Sequence, residues 1–426
     1  MTDIYKSSFL SPIDERSFKY LASGYMVVDA AGVIQYIGQE DPGQRFKDAE
    51  FFDYSDFLIC PGFVDIHNHI PQYAFAGIGD EELLQWLDTY AFPREKEFLD
   101  LNVAKKSTRI FFRDQLRNGT TTTLSFVTIH DEATDIAFEE AKKTSIRAVI
   151  GSVMMDQNCP PYLLETPDEI LNESRRLIEK WDGYEDRLYY CLTPRFAISC
   201  SFDLLCKVGE LAREKNVYVQ SHLSENKNEI LYVKELFPRS TNYTNVYEDA
   251  GLLGSKTIMA HCVHLTDEEI RRLKKTKTKI AHCPTSNRFL KSGIMPYRSF
   301  RTLGLQIGLG TDVAGGYSLS LFHEMKEMIE NSKYRSLFFD DGSPVTLAEA
   351  FYTATLGGAE CLSMEERIGS LEKNKLADFL VLDHFKTDPH KKDSNYLNPD
   401  EILSKLIYRG SSDIVRHVYV QGKKVF

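Results

Sequence analysis

The chain has 426 residues, 42% of them hydrophobic, and a formal net charge of −11. That supports a large core, and the acidic balance without a long basic run argues against nucleic acid or an anionic membrane as a partner. No apolar run approaches the roughly 20 residues of a membrane helix, and the opening MTDIYKSSFLSPIDER has no apolar centre between its flanks, so no signal peptide is expected.

In chain order, YMVVDAAGVIQYIG (residues 25–38) reads as two short strands around Ala31-Gly32. PGFVDIHNH follows, an apolar run that carries the chain into His67 and His69. Residues two apart in a strand share a face, so both imidazoles converge at the strand's end. A lone histidine there reads as a core residue or a polar turn. A same-face pair points to a metal, because imidazole is a common ligand. After the helical NVAKKSTRIFFRDQLR comes the strand TTTLSFV (residues 121–127). After DEATDIAFEEAKKT comes RAVIGSV from Arg147, and LYYCLTP from Leu188 ends just before Arg195. The helical FDLLCKVGELAREKN leads to VYVQSHL, which ends at His222, and TIMAHCV carries His261. TDEEIRRLKK opens with Thr266 and has Glu269 three residues on, a capping box. KIAHCPT then carries His282, and QIGLGTD ends in Asp312. ADFLVLD and HVYVQGKKVF close the chain as strands.

Eight strands alternating with helices predict a (β/α)8 TIM-like barrel over residues 61–367. The strands at both ends predict a smaller β-sandwich domain composed of residues 1–60 and 368–426. Barrel enzymes build their sites at the C-terminal ends of the strands, where the histidines and Asp312 gather. His67, His69, His222 and Asp312 are the expected metal ligands. Three imidazoles and one carboxylate suit zinc, with iron or another divalent ion also compatible. Glu225 stands three residues after His222 in SHLSE. A carboxylate there can hold and deprotonate a water that zinc has brought to a pKa of about 7; the competing reading is a helix N-terminal charge. His261 fits as a hydrogen-bond partner of the attacking oxygen or the oxyanion, with a structural role as competitor. His282 divides between support and core. Phe196, directly after Arg195, is expected against the substrate, whereas Trp86, Tyr73 and Phe75 are expected in the core. His130, His264, His323, His384, His390 and His417 receive no role. RRLKKTKTK follows TDEE and reads as a solvated helix face.

The eight cysteines contain no C-x-x-C pair and read as buried thiols in a reducing cytosol. Their spacing also removes the zinc deaminase fold that needs H-x-E with P-C-x-x-C, although His130-Asp131-Glu132 meets the first half.

PGFVDIHNH, SHLSE, AHC, HCPTSN and GLGTD, in this order, resemble the amidohydrolase superfamily in its single-metal deaminase branch. IGSLEKNKLADFLVLD (residues 368–383) resembles the family's return into its sheet domain. The more selective pieces HNHIPQYAFAG, LLQWLDTYAFPREKEF and LTPRFAISCS resemble its guanine-deaminating members, and the likeness spans nearly the whole chain. The resemblance implies metal ligands at His67, His69, His222 and Asp312, and a proton shuttle at Glu225. It implies catalytic parts for His261 and Asp312 and substrate contacts at Gln72, Arg195 and Phe196, beside the groups that surround the metal. It further implies one Zn2+ per chain, a homodimer, and conversion of guanine to xanthine and ammonia; the cytoplasmic location is the expectation from the cysteines. No ligand position is lost. Ala314 stands where a glycine is familiar, which touches no assigned role. Two rival readings are a related deaminase acting on another purine or heterocycle and a non-catalytic scaffold on the same barrel. The first is separated by which bases release ammonia, the second by missing ligands.

Overall fold

The computed structural model describes residues 2–340, 342–389 and 398–426; His390 and a short part of the expected second sheet segment lie outside them. Among the described residues sixteen strands form two sheets. The chain opens with β1 (Asp3–Asp14), β2 (Ser17–Val28), β3 (Ile34–Gly38) and β4 (Glu50–Pro61). It then runs through β5 (Phe63–His69), β6 (Thr120–Phe126), β7 (Arg147–Gly151), β8 (Val153–Met154) and β9 (Leu188–Pro194). β10 (Tyr218–Leu223), β11 (Thr257–His261), β12 (Lys279–His282) and β13 (Ile307–Leu309) follow. β14 (Phe379–Leu382), β15 (Val415–Val420) and β16 (Lys423–Lys424) close the chain.

The terminal strands form one hydrogen-bonded path, β16-β15-β14-β4-β1-β2-β3. β1 pairs with β4 at Lys6↔Asp53 and next at Ser8↔Leu58, so residues 54–57 bulge out and the sheet turns a corner. Tyr5 lies opposite Phe52, yet its ring meets Phe379 at 5.1 Å and Tyr419 at 5.4 Å, although Phe379 pairs with Pro61 at the far end of β4. The folded sheet thus packs against itself around Tyr5, Phe9, Met26, Ile59 and Phe379, the expected sandwich. β1 and β4 are missing from the predicted elements. Ser7, Ser8, Ser11 and Pro12 break the apolar alternation of β1, and it is tertiary bonding that uses them: Ser7 and Ser8 each donate a hydroxyl to Phe57 O at 2.9 Å.

The second sheet is the barrel, with parallel order β5-β6-β7-β9-β10-β11-β12-β13 and the short β8 beside β9. Its ends join where Asp312 N donates to His67 O at 2.8 Å and His69 N to Val313 O at 3.1 Å. β5 and β6 are buried along their whole length, as strands covered on both faces must be. The capping box of Thr266 and Glu269 forms as expected. Several expected strands come out shorter: TIMAHCV stops at His261 and RAVIGSV breaks after Gly151. KIAHCPT stops at His282, because Pro284 is favoured at the first turn of the helix Pro284–Phe289. QIGLGTD stops at Leu309, which leaves Asp312 on the closing loop. Sheet and barrel are tied by a buried pair, Arg147 Nη2 to Asp378 Oδ2 at 3.2 Å.

Candidate active site

One rim of the barrel carries the chemistry. β5 delivers His67 and His69, β10 His222, and β11 His261, while Asp312 and Glu225 follow β13 and β10. Ser224, His261, Cys262 and Asp312 all have positive φ, between 45° and 69°. Such left-handed backbone costs a non-glycine residue about 1–2 kcal/mol. Strain of this kind is tolerated where the surrounding structure enforces it for function.

The donor atoms approach one another closely. His69 Nε2 is 3.2 Å from His222 Nε2, His67 Nε2 is 3.2 Å from Asp312 Oδ1, and His69 Nε2 is 3.4 Å from the same oxygen. A tetrahedral ion with donors at about 2.0–2.1 Å holds them about 3.3–3.4 Å apart, and these three separations are close to that spacing. His222 Nδ1 lies 2.6 Å from Arg195 O, a carbonyl that can only accept. The proton therefore sits on Nδ1, and the Nε2 lone pair faces the other donors. Among the described residues neither buried ring nitrogen of His67 makes a hydrogen bond, Nε2 having only the Asp312 oxygen beside it, which costs free energy unless something else engages them. A second grouping also exists: His67, His222, His261 and Asp312 offer donor atoms within 4.8 Å of one another. His261 Nε2, however, stands 3.7 Å from Asp312 Oδ2 and 3.4 Å from Glu225 Oε2. The shorter contacts of His69 fit the first set better, and His261 faces the space beside it.

Protonation suits cation binding. Burial pushes His69 down to about 3 and holds His67 and His222 below the ordinary imidazole value. Burial acts to raise the Asp312 carboxyl, but the imidazoles of His67, His69 and His261 outweigh it and hold it well below the usual range. Neutral imidazoles and an ionised carboxylate are the forms that ligate metals. His282 is buried, lies outside the cavity described below, and is likewise pushed by burial down to about 3. Its imidazole NMR resonances are therefore expected to stay those of a neutral ring from pH 8 to 5. A titration with a midpoint near the ordinary value of about 6.5 would contradict this environment.

Gln72, Arg195, Phe196, Glu225, His261 and Asp312 line one cavity. Trp86, expected in the core, is buried but also contributes to its apolar wall. Burial, with the Asp312 charge beside it, pushes Glu225 up to about 8 against the opposing hydroxyl of Ser292. A carboxyl near the working pH can take and return a proton. Three supports come from one short segment. Ser286 Oγ donates to Asp312 Oδ2 at 2.6 Å, Asn287 Oδ1 meets His261 Nδ1 at 2.9 Å, and Ser292 Oγ donates to Glu225 Oε1 at 2.9 Å. The HCPTSN motif by itself assigned no role to Ser286 or Asn287, and Ser292 lies beyond it. Glu95, absent from the expected site, has a carboxylate that accepts from Arg195 Nη1 at 2.7 and 2.8 Å and from Gln72 Nε2 at 2.9 Å. The available signal was its place in the selective FPREKEF piece.

The model of the amidohydrolase family matches residues 58–425. A guanine deaminase of Dictyostelium discoideum is 36% identical over 441 residues, covering 99% of this chain and 98% of that protein. A guanine deaminase of Escherichia coli is 36% identical over 416 residues, covering 96% and 92%. The crystal structure of guanine deaminase from C. acetobutylicum with bound guanine superposes with a TM-score of 0.94, at 36% identity and 100% coverage of both chains. With its family model spanning the barrel and the closing strands, and full-length relatives above 30% identity, this chain belongs to the amidohydrolase family.

Proposed function

We propose that this site carries out the zinc-dependent hydrolytic deamination of guanine to xanthine and ammonia, with one Zn2+ per chain held by His67, His69, His222 and Asp312. The observation that carries this reading is the close approach of those donors, three of whose separations are 3.2 to 3.4 Å, beside Glu225 in one cavity, in a chain alike end to end to guanine deaminases. A bound zinc ion supplies Lewis acidity that brings water near a pKa of about 7.

The chain's own groups do the rest. Arg195 and Gln72 hold the purine edge, and Phe196 bounds the base. Glu225 takes a proton from the attacking water and passes it to N3 of the purine as oxygen adds at C2. His261, its Nδ1 held by Asn287 Oδ1 at 2.9 Å, meets the developing oxyanion through Nε2 when the ring carries both protons, since only then is Nε2 a donor. Asp312 then helps move a proton to the departing amine. Each of these roles depends on atoms that already face the cavity.

We further propose a cytoplasmic homodimer. Tyr334, Leu337, Phe338 and Phe339 form an exposed apolar run at the end of the helix Leu321–Ser336, the kind of surface that subunits cover. Eight free cysteines, six of them buried, support a reducing compartment. No described helix is long and apolar enough to cross a membrane.

The test is ammonia release from metal-replete protein across purines and pyrimidines, paired with elemental analysis. Guanine is expected far ahead of adenine and cytosine, with close to one equivalent of metal, and chelation should abolish turnover. Equal release from adenine or cytosine would replace the substrate; two tightly held ions, or full activity without metal, would overturn the site.

A further inference from the structure

We infer that Glu95 is a positioning residue that sets which purines this site accepts, by locking the Arg195 guanidinium and the Gln72 amide into one hydrogen-bonding pattern. The inference rests on the deaminase reading above. Glu95 is completely buried in the helix Phe92–Lys96 and is absent from the cavity wall, whereas Gln72 and Arg195 line it. Its carboxylate accepts from both at once, at 2.7 to 2.9 Å. A carboxylate has no donor, so the Gln72 atom facing it must be the amide nitrogen. The Gln72 carbonyl is thereby turned the other way, where Ala314 N approaches it at 3.4 Å.

On the Arg195 side, one nitrogen, Nη1, satisfies both carboxylate oxygens. Among the described residues no other hydrogen bond engages this guanidinium side chain, and the Phe92 ring lies 5.1 Å from its central carbon. Nη2 and Nε are left as donors for a ligand. The result is a fixed order, guanidinium donors followed by an amide carbonyl acceptor. That order matches a 6-oxo purine, with an acceptor at O6 and a donor at N1-H, and opposes a 6-amino purine. A neutral amide at position 95 would place a donor of its own against Arg195 or Gln72, and the Gln72 amide could then turn over.

The probe is 2,6-diaminopurine, which keeps the amino group to be expelled at C2 but puts a donor where guanine has O6. Holoenzyme carrying Glu95→Gln should keep its metal and the pH profile of kcat, because nothing around Glu225 changes. Its KM for guanine should rise about ten-fold or more, and its kcat/KM preference for guanine over 2,6-diaminopurine should fall about ten-fold or more. Glu95→Asp keeps a carboxylate opposite Arg195 and covers the case in which the amide variant does not fold. With its shorter arm it should still lower the preference about three-fold or more. An unchanged preference in either folded variant, whatever happens to its melting temperature, overturns the inference and leaves Glu95 a structural ion-pair partner. A parent enzyme that releases no ammonia from guanine overturns the deaminase reading itself, and this inference with it.

Discussion

Replacing Glu225 with glutamine should lower guanine turnover by about 10² to 10⁴, the usual worth of a positioned general acid/base. The substitution is nearly isosteric, and the surroundings tolerate it. Ser292 Oγ donates to Oε1, which the amide oxygen can still accept. The turn is held through the Glu225 and Asn226 backbone N–H groups, both of which donate to Glu229 Oε2, at 2.8 and 3.1 Å, and neither involves the Glu225 side chain. What is lost is the ability to take up a proton. Metal content and melting temperature should therefore stay near the parent values while kcat collapses, as read by ammonia release and elemental analysis on the same preparation. Turnover within a few-fold of the parent would remove Glu225 as the shuttle. Loss of the metal would make it a ligand instead.

Arg195→Ala is expected to reduce kcat/KM for guanine by roughly 10⁴, because sites built on hydrogen bonds to a polar edge discriminate at that level. Two consequences come from the structure. The metal should remain, since His222 is oriented by the backbone carbonyl of Arg195, at 2.6 Å from Nδ1, and alanine keeps that carbonyl. Stability should fall, since Glu95 is buried and loses its charged partner; breaking a buried pair from one side costs about 3–5 kcal/mol. Adding Glu95→Ala to Arg195→Ala should recover much of that stability in urea unfolding but none of the activity. Unchanged guanine kinetics in the single variant would remove Arg195 from substrate binding. A double variant no more stable than the single one would show that Glu95 is not left unpaired.

The barrel was legible because its signals are local. Strand and helix alternate along the chain, and the two-residue period of a strand already places His67 and His69 on one face. His222, His261 and Asp312 were legible for the same reason, each close to the end of an apolar run that became β10, β11 or β13. β1 and β4 were not legible. Their serines and Pro12 look like loop until the corner of the sheet brings Phe57 O over to Ser7 and Ser8.

Within the site, residue types and neighbourhood followed from sequence pattern and resemblance, but pairing did not. Glu95 and Arg195 are 100 residues apart, and a periodicity confined to single elements carries no information about which helix end faces which strand end. The proposal of His69 rather than His261 as a donor rests on 3.2–3.4 Å against 3.7 Å, a difference set by how β5, β11 and the Asp312 loop close the barrel. The direction of the Gln72 amide has the same origin. An isolated glutamine is free to present either end, and it is the buried carboxylate of a distant helix that makes one end a donor and the other an acceptor.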